Sequence, residues 1–353
     1  MMSTHHPSAA TDLNARRMLF VVGNSRSGTT MLGRILGRNS AVHKFPELHL
    51  FGPCVPHGDE LKTVDKPEAI RIYSWLLDVA DRKLHAERQP EKYLAEATQL
   101  AASSLLTGSE NAWDLYQYFL FYEVAKHGKT IPSEDLPGNV FKLDQLLSRF
   151  PEARIIHIVR DPRDVLLSQK NRRNRRKMGA TYVGRKETMR FWANYHPLFI
   201  SRLWNNAVRA GLKVKDPRLI TIHFEDLISN PAQVIKTVCQ HAGIDFQEDM
   251  LRIPQVGSST RKDSPDQLGI DAGRSGAWSK GGLTAMEIEI CEKVNSALMQ
   301  QLGYAKSGMK GALPERIWLM LLLPVKGIVA LLLNWKRTKG LFKYMTQRFK
   351  TKS

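Results

Sequence analysis

Residues 19–30, Leu-Phe-Val-Val-Gly-Asn-Ser-Arg-Ser-Gly-Thr-Thr, constrain this chain most. The four apolar residues read as a buried strand, Gly23 and Gly28 bound a turn, and Thr29 opens a helix. Such a turn aims successive backbone N–H groups at one point, and the helix dipole adds positive potential there. The segment is a phosphate cradle at the carboxyl end of a strand. Its glycine spacing, G-x-x-x-x-G, is that of a nucleotide triphosphate loop, which continues with Lys and then Ser or Thr. Here Thr29 and Thr30 follow Gly28, and the cation stands upstream, at Arg26. The lysine that reaches the β- and γ-phosphates is missing, so the phosphate held here carries a different group.

Ile155–Val159 is a second apolar, β-branched strand. It runs into Arg160-Asp161-Pro162-Arg163-Asp164 and then Ser168. An ATPase places a metal-binding Asp at such a strand end; this chain places Arg160 there. Arg160 and Ser168, the latter on the following helix, can face one sheet edge and bind a second phosphate without Mg²⁺. A 5′-phosphate and a 3′-phosphate held without metal describe an adenosine bisphosphate.

These residues resemble those of the sulfotransferases that use 3′-phosphoadenylyl sulfate, over roughly Met18 to Tyr304. Arg26-Ser27-Gly28-Thr29-Thr30 is similar to the family's 5′-phosphosulfate loop. Arg160 and Ser168 are similar to its 3′-phosphate pair, and Arg172 to a further basic position of protein-tyrosine sulfotransferases. His223–Pro231 resembles a YEDL…NP segment, with Phe224 where the family often stacks a Tyr on adenine. Arg274-Ser275-Gly276-Ala277-Trp278 resembles the late G-x-W loop over the nucleotide, which implicates Arg274, Gly276 and Trp278. Leu302-Gly303-Tyr304 resembles the family's LGY ending. The resemblance implies an α/β fold of three layers, P-loop-like, with a doubly wound parallel sheet. It also implies 3′-phosphoadenylyl sulfate as co-substrate, no metal, and a hydroxyl-bearing acceptor. It is nearer to the bacterial and Golgi-type branches than to the cytosolic phenol sulfotransferases, which carry Lys where Arg26 stands. Two features depart from the pattern. No Arg-Lys-Gly triplet precedes the Trp loop, since Arg261-Lys262 lies far upstream and Arg274 stands alone. Ala277 replaces the Lys of tyrosine-directed relatives.

Sulfuryl transfer needs a base for the acceptor and positive charge for the leaving phosphate. Arg26 offers a fork of donors suited to phosphate oxygens. Glu47 is expected at the end of a short second strand, beside the first. Golgi-type relatives use a Glu at this place, and the resemblance implies Glu47 as base. His49, two residues on in an extended segment, would point the same way. It is either an alternative base or a polar wall residue.

Residues 1–17 are polar and are expected to be disordered, with no secretory signal. Residues 18–310 form the expected catalytic domain, with strands at 155–159 and 219–223, a helix over 188–210 and one ending near Gly243. Residues 65–128 read as a helical insertion whose aromatics, Trp113, Tyr116, Tyr118, Phe119, Phe121 and Tyr122, serve either as core or as the lining of an acceptor pocket. Three separated cysteines show no metal or redox spacing. The net charge of +18 is concentrated partly in Lys170–Lys177, read as a mixture of solvated face and anion clamp. No aromatic residue interleaves that run, which argues against nucleic acid. The run Ile317–Leu333 is apolar but short of a span and broken by Pro324 and Lys326. Lys336, Arg337, Lys339, Lys343, Arg348, Lys350 and Lys352 follow it without an acid. Residues 314–353 are therefore expected as a helix or broken hairpin on an anionic membrane surface at its cytoplasmic face, or else as a helix pair packed on the domain. The rival functions are a P-loop kinase or NTPase, and a non-catalytic membrane adaptor. Nothing in the sequence sets an oligomeric state.

Overall fold

The structure, a computed structural model, describes residues 13–82, 87–105, 107–178, 183–259 and 262–334. In chain order its elements are β1 (Met18–Gly23), α1 (Thr29–Leu36), β2 (Val42–Phe45), α2 (Lys66–Arg82), α3 (Leu94–Ser104), α4 (Ala112–Lys126), β3 (Ile131–Glu134), α5 (Leu143–Arg149), β4 (Ala153–Val159), α6 (Pro162–Lys170), α7 (Arg185–Asn194), α8 (Pro197–Lys213), β5 (Leu219–His223), α9 (Phe224–Ser229), α10 (Pro231–Ala242), β6 (Pro254–Gln255), β7 (Ser264–Leu268), α11 (Ala285–Gln301) and α12 (Leu313–Asn334).

β1 is buried from end to end because its side chains enter two cores alternately. Met18, Phe20 and Val22 pack with α2, α3, α4 and α5 on one face. Leu19 and Val21 pack with α1, α9 and α10 on the other, beside Ile156 and Ile158 of β4. The resulting sheet is parallel, in the order β2-β3-β1-β4-β5, with helices on both faces. This is the expected three-layer arrangement. The chain leaves β1 toward β2 and returns to the opposite side of β1 at β4, so the carboxyl ends of β1 and β4 border a crevice.

Three expectations are corrected, and one alternative is decided. Glu47 does not follow a strand beside β1: β3 intervenes, with Leu19 opposite Ser133 and Lys44 opposite Ser133 on its other edge. β3 holds only four residues and includes Pro132, which lacks a ladder donor and reads against a central strand. The helix expected over 188–210 is two helices, since Pro197 disfavours helical backbone at His196 and starts α8 as its first residue. The aromatics of the insertion are core: Trp113, Tyr116, Tyr118, Phe119 and Phe121 are buried, and Tyr122 donates to Glu96. α12 runs unbroken through Pro324. The three cysteines are buried and free, as structural cysteines would be. The expectations for residues 1–12, for Arg261 and for the cations and aromatics after Asn334 lie outside the described residues.

Candidate active site

At the ends of β1 and β4 lies a cavity of about 500 Å³. Among the described residues six arginines line it, Arg26, Arg34, Arg160, Arg172, Arg175 and Arg274, against a single carboxylate, Glu47. That imbalance selects an anionic ligand.

The floor is the Ser25–Thr30 turn. Arg26 sits at φ 75 and Gly28 at φ 105, and this curls the backbone so that α1 opens toward the cavity without a side-chain cap. A Cβ on Gly28 would lie 2.5 Å from Cδ2 of Phe224, so only glycine lets the turn approach that ring. Ser27 is buried, and its Oγ has no hydrogen-bond partner among the described residues. An orphaned hydroxyl beside uncapped helix N–H groups is what a phosphate would satisfy.

Arg26 turns toward the second predicted phosphate site rather than away from it. Its Nε donates to Ser168 Oγ at 3.0 Å, and its Nη2 donates to Gly257 O at 3.0 Å and Ser259 Oγ at 2.8 Å. The two sites read from sequence are therefore halves of one cavity, joined by this guanidinium. Arg160 is buried beneath it. It donates to Arg26 O at 3.3 Å and Arg274 O at 2.6 Å, and its guanidinium lies 4.2 Å from the centre of the Phe224 ring. Arg160 Nε is buried without a partner among the described residues. Arg172 stacks on Phe191 at 4.2 Å. Of the basic run, Arg172 and Arg175 line the cavity while Arg173, Arg176 and Lys177 face solvent, the expected mixture.

Gly276 and Trp278 lie outside the cavity lining. Their backbone N–H groups donate to the two carboxylate oxygens of Asp164 at 2.8 and 2.9 Å, and Arg163 covers the Trp278 ring at 3.8 Å. Burial raises the Asp164 carboxyl, and Arg160 beside it opposes the shift. Within Arg160–Asp164, the first arginine faces the cavity and the rest tie down neighbouring loops. Tyr304 closes the same region by donating to Glu225 at 2.9 Å, while Glu225 accepts from Asp161 N.

Glu47 and His49 face the cavity together, with His49 Nε2 and Glu47 Oε2 2.9 Å apart. They converge because His49 takes φ 46, a left-handed turn and not the extended segment expected. The Glu47 side chain is 41 % exposed and open to the cavity. Behind it, Glu134 is buried against Tyr116 and Asn139, its carboxyl raised by burial. Sequence reasoning missed Arg34, Phe191 and the Val256–Ser259 loop. Arg34 lies four residues after Thr30 on the same face of α1, a legible spacing; the loop carried no signal.

A model described as the sulfotransferase family matches residues 19–248. The sulfotransferase domain of the Synechococcus PCC 7002 olefin synthase shares 22% identity and a TM-score of 0.48, covering 79% of this chain and 94% of that one. A sulfotransferase domain from the curacin biosynthetic pathway shares 17% identity and a TM-score of 0.47, covering 82% and 98%. Sulfotransferase STF9 of Mycobacterium avium shares 14% identity and a TM-score of 0.42, covering 82% and 78%. No curated protein sequence matches the chain.

Proposed function

Because the chain belongs to the sulfotransferase family, we propose that its donor is 3′-phosphoadenylyl sulfate and its acceptor the hydroxyl of a lipid or other amphiphilic alcohol. The observation that carries the donor reading is the junction of the Ser27–Thr30 cradle to Ser168 through Arg26. The N–H groups of Ser27 to Thr30, the Ser27 hydroxyl and Arg26 hold the 5′-phosphate. Arg160, Ser168 and Arg172 hold the 3′-phosphate, and Phe224 and Arg274 flank the adenosine. Gly276 and Trp278 act through Asp164, which fixes the loop carrying Arg274.

The acceptor oxygen attacks sulfur, and the bond from sulfur to the 5′-phosphate oxygen breaks. The electron pair leaves on that oxygen, where Arg26 and the fixed N–H dipoles stabilise it. Glu47 takes the acceptor proton, and His49 orients its carboxylate. Positioning and electrostatics supply most of the rate, as in phosphoryl transfer. The enzyme works at the inner face of the cytoplasmic membrane.

Calorimetry without Mg²⁺ tests the donor: adenosine 3′,5′-bisphosphate binds far more tightly than AMP or ATP. Equal affinities for the bisphosphate and AMP refute it. Incubating a cell extract with labelled donor, followed by mass spectrometry for products heavier by one SO₃, identifies the acceptor.

A further inference from the structure

α12 is apolar on both sides, and its most buried residue is a lysine. An amphipathic helix on a soluble domain turns its apolar stripe to the core and its polar residues to water. In α12 the most buried residue is Lys326, 9% exposed, set among half-buried Leu319, Leu322, Leu323, Val329, Ala330 and Leu333. Its ammonium donates to Tyr195 O at 2.8 Å and lies 5.0 Å from the Trp192 ring centre. Three further hydrogen bonds seat the helix, two of them on its backbone carbonyls. His196 Nε2 meets Leu319 O at 3.1 Å, Arg190 Nη2 donates to Leu333 O at 3.3 Å, and Asn334 Nδ2 donates to Asn194 Oδ1 at 3.4 Å. The outward stripe is Ile317, Leu321, Val325, Ile328 and Leu332, at helical spacing and 50–69% exposed. Trp318 stands beside it at 60%. An apolar face of this extent is a docking surface.

By length and composition α12 could cross a bilayer. Its seats argue otherwise. They run from Leu319 to Asn334, about 22 Å at 1.5 Å per residue, so the helix lies along the domain and cannot enter the hydrocarbon end-on while they hold. The charge around it is positive. Arg173 and Lys170 outnumber Glu287 among the charges acting on Lys326, Arg316 is exposed on α12 beside half-buried Glu315, and the chain after Asn334 carries seven Lys and Arg and no acid. The occupant that fits an apolar stripe flanked by cations is an anionic lipid surface.

We propose that the outward face of α12 docks on an anionic bilayer, lying in its plane, while still seated on α7. The seat matters to the cavity. Phe191 of α7 lines it, and the flanking Arg190 and Trp192 hold α12. One helix thus separates the reaction cavity from the membrane face and places the acceptor side at the lipid surface. That last consequence rests on the sulfotransferase reading; the docking does not.

The test is flotation of the full chain with phosphatidylcholine vesicles, with and without phosphatidylglycerol. Wild type floats with the phosphatidylglycerol vesicles, less so at high salt. Leu321→Glu, Ile328→Glu and Leu332→Glu together leave it at the bottom of the gradient. Unchanged circular dichroism shows that the variant is folded. To test the seat, cysteines at Asn194 and Asn334 are joined by a short bis-maleimide, and the locked protein still floats. Loss of flotation on locking means the helix must leave α7 to reach lipid, which overturns the in-plane arrangement. Wild type that stays at the bottom overturns the docking. If it instead forms a dimer that the triple variant dissociates, the face is a contact between two copies. Adenosine bisphosphate affinity, read separately, reports on the donor site and not on this face.

Discussion

Arg160→Ala tests the proposed 3′-phosphate site apart from the rest of the cavity. Arg160 is buried, and its Nε lacks a partner among the described residues. It is the cation best placed to gain a charge-assisted bond when a phosphate arrives. Losing one such bond costs about 1.5–3 kcal/mol, or roughly 10- to 150-fold in affinity. The side chain has a second role, since it donates to Arg26 O and Arg274 O and so braces the cradle and the Trp loop. Removing it therefore weakens every adenine nucleotide. The informative quantity is the ratio of affinities for adenosine 3′,5′-bisphosphate and AMP, in which the bracing loss cancels. Calorimetry on wild type, Arg160→Ala and Arg160→Lys gives that ratio. It should collapse in the alanine variant and recover in part with lysine, which restores charge without the planar fork. A ratio that Arg160→Ala leaves unchanged refutes the assignment, however much overall affinity falls.

Glu47→Gln keeps the shape and removes the proton acceptor, so turnover should fall by about 10² or more with bisphosphate affinity nearly constant. His49→Ala should cost less, and the opposite ranking transfers the role of base to His49. Gly28→Ala must hold a side chain at φ 105 and 2.5 Å from Phe224. It should lose about 1–3 kcal/mol of stability together with bisphosphate binding, and a thermal unfolding midpoint equal to wild type would contradict the close approach. Burial raises the Asp135 carboxyl from 3.8 to about 6, opposed by Lys44 at 2.7 Å. The folded protein then holds a proton that the unfolded chain releases, so stability is lost as pH rises from about 4 to about 6, by about 3 kcal/mol. Asp135→Asn should flatten that slope in urea unfolding; parallel slopes for the two proteins would refute it.

What was legible in sequence was local. β1 and β4 are buried on both faces, so their apolar runs stand out, and the glycine turn and Arg160 follow them directly. Ser168 was legible for the same reason, placed by the helix that follows β4, whereas Phe224 was named only through the resemblance of residues 223–231 to a family segment. β3 was hidden by Pro132, whose missing donor argues against the central position it occupies. The pairing of Glu47 with His49 was hidden because it depends on a positive φ at a non-glycine residue, which no residue pattern announces. Arg26 was assigned to one phosphate site and reaches Ser168 in the other. The meeting of two loops 142 residues apart is a property of the closed sheet edge, not of either segment.

Lys326 and Pro324 show the same limit from the other side. In sequence both are interruptions, and an interrupted apolar run argues for a break or a short insertion. In the fold Pro324 lies within one helix, and Lys326 is the residue that seats it. A buried ammonium needs a carbonyl and ring faces to offset its desolvation, and α7 with Tyr195 supplies both. The lysine thereby joins the half-buried leucines on the inward face, while Ile317, Leu321, Val325, Ile328 and Leu332 stay outward. Leucine at 326 would make the helix more hydrophobic and better suited to spanning. It would also remove the ammonium bond to Tyr195 O, one of the contacts that hold the helix on α7. The residue that most weakens a membrane reading by composition is thus also one that anchors the helix to the domain, and that anchoring is what the proposed in-plane docking requires.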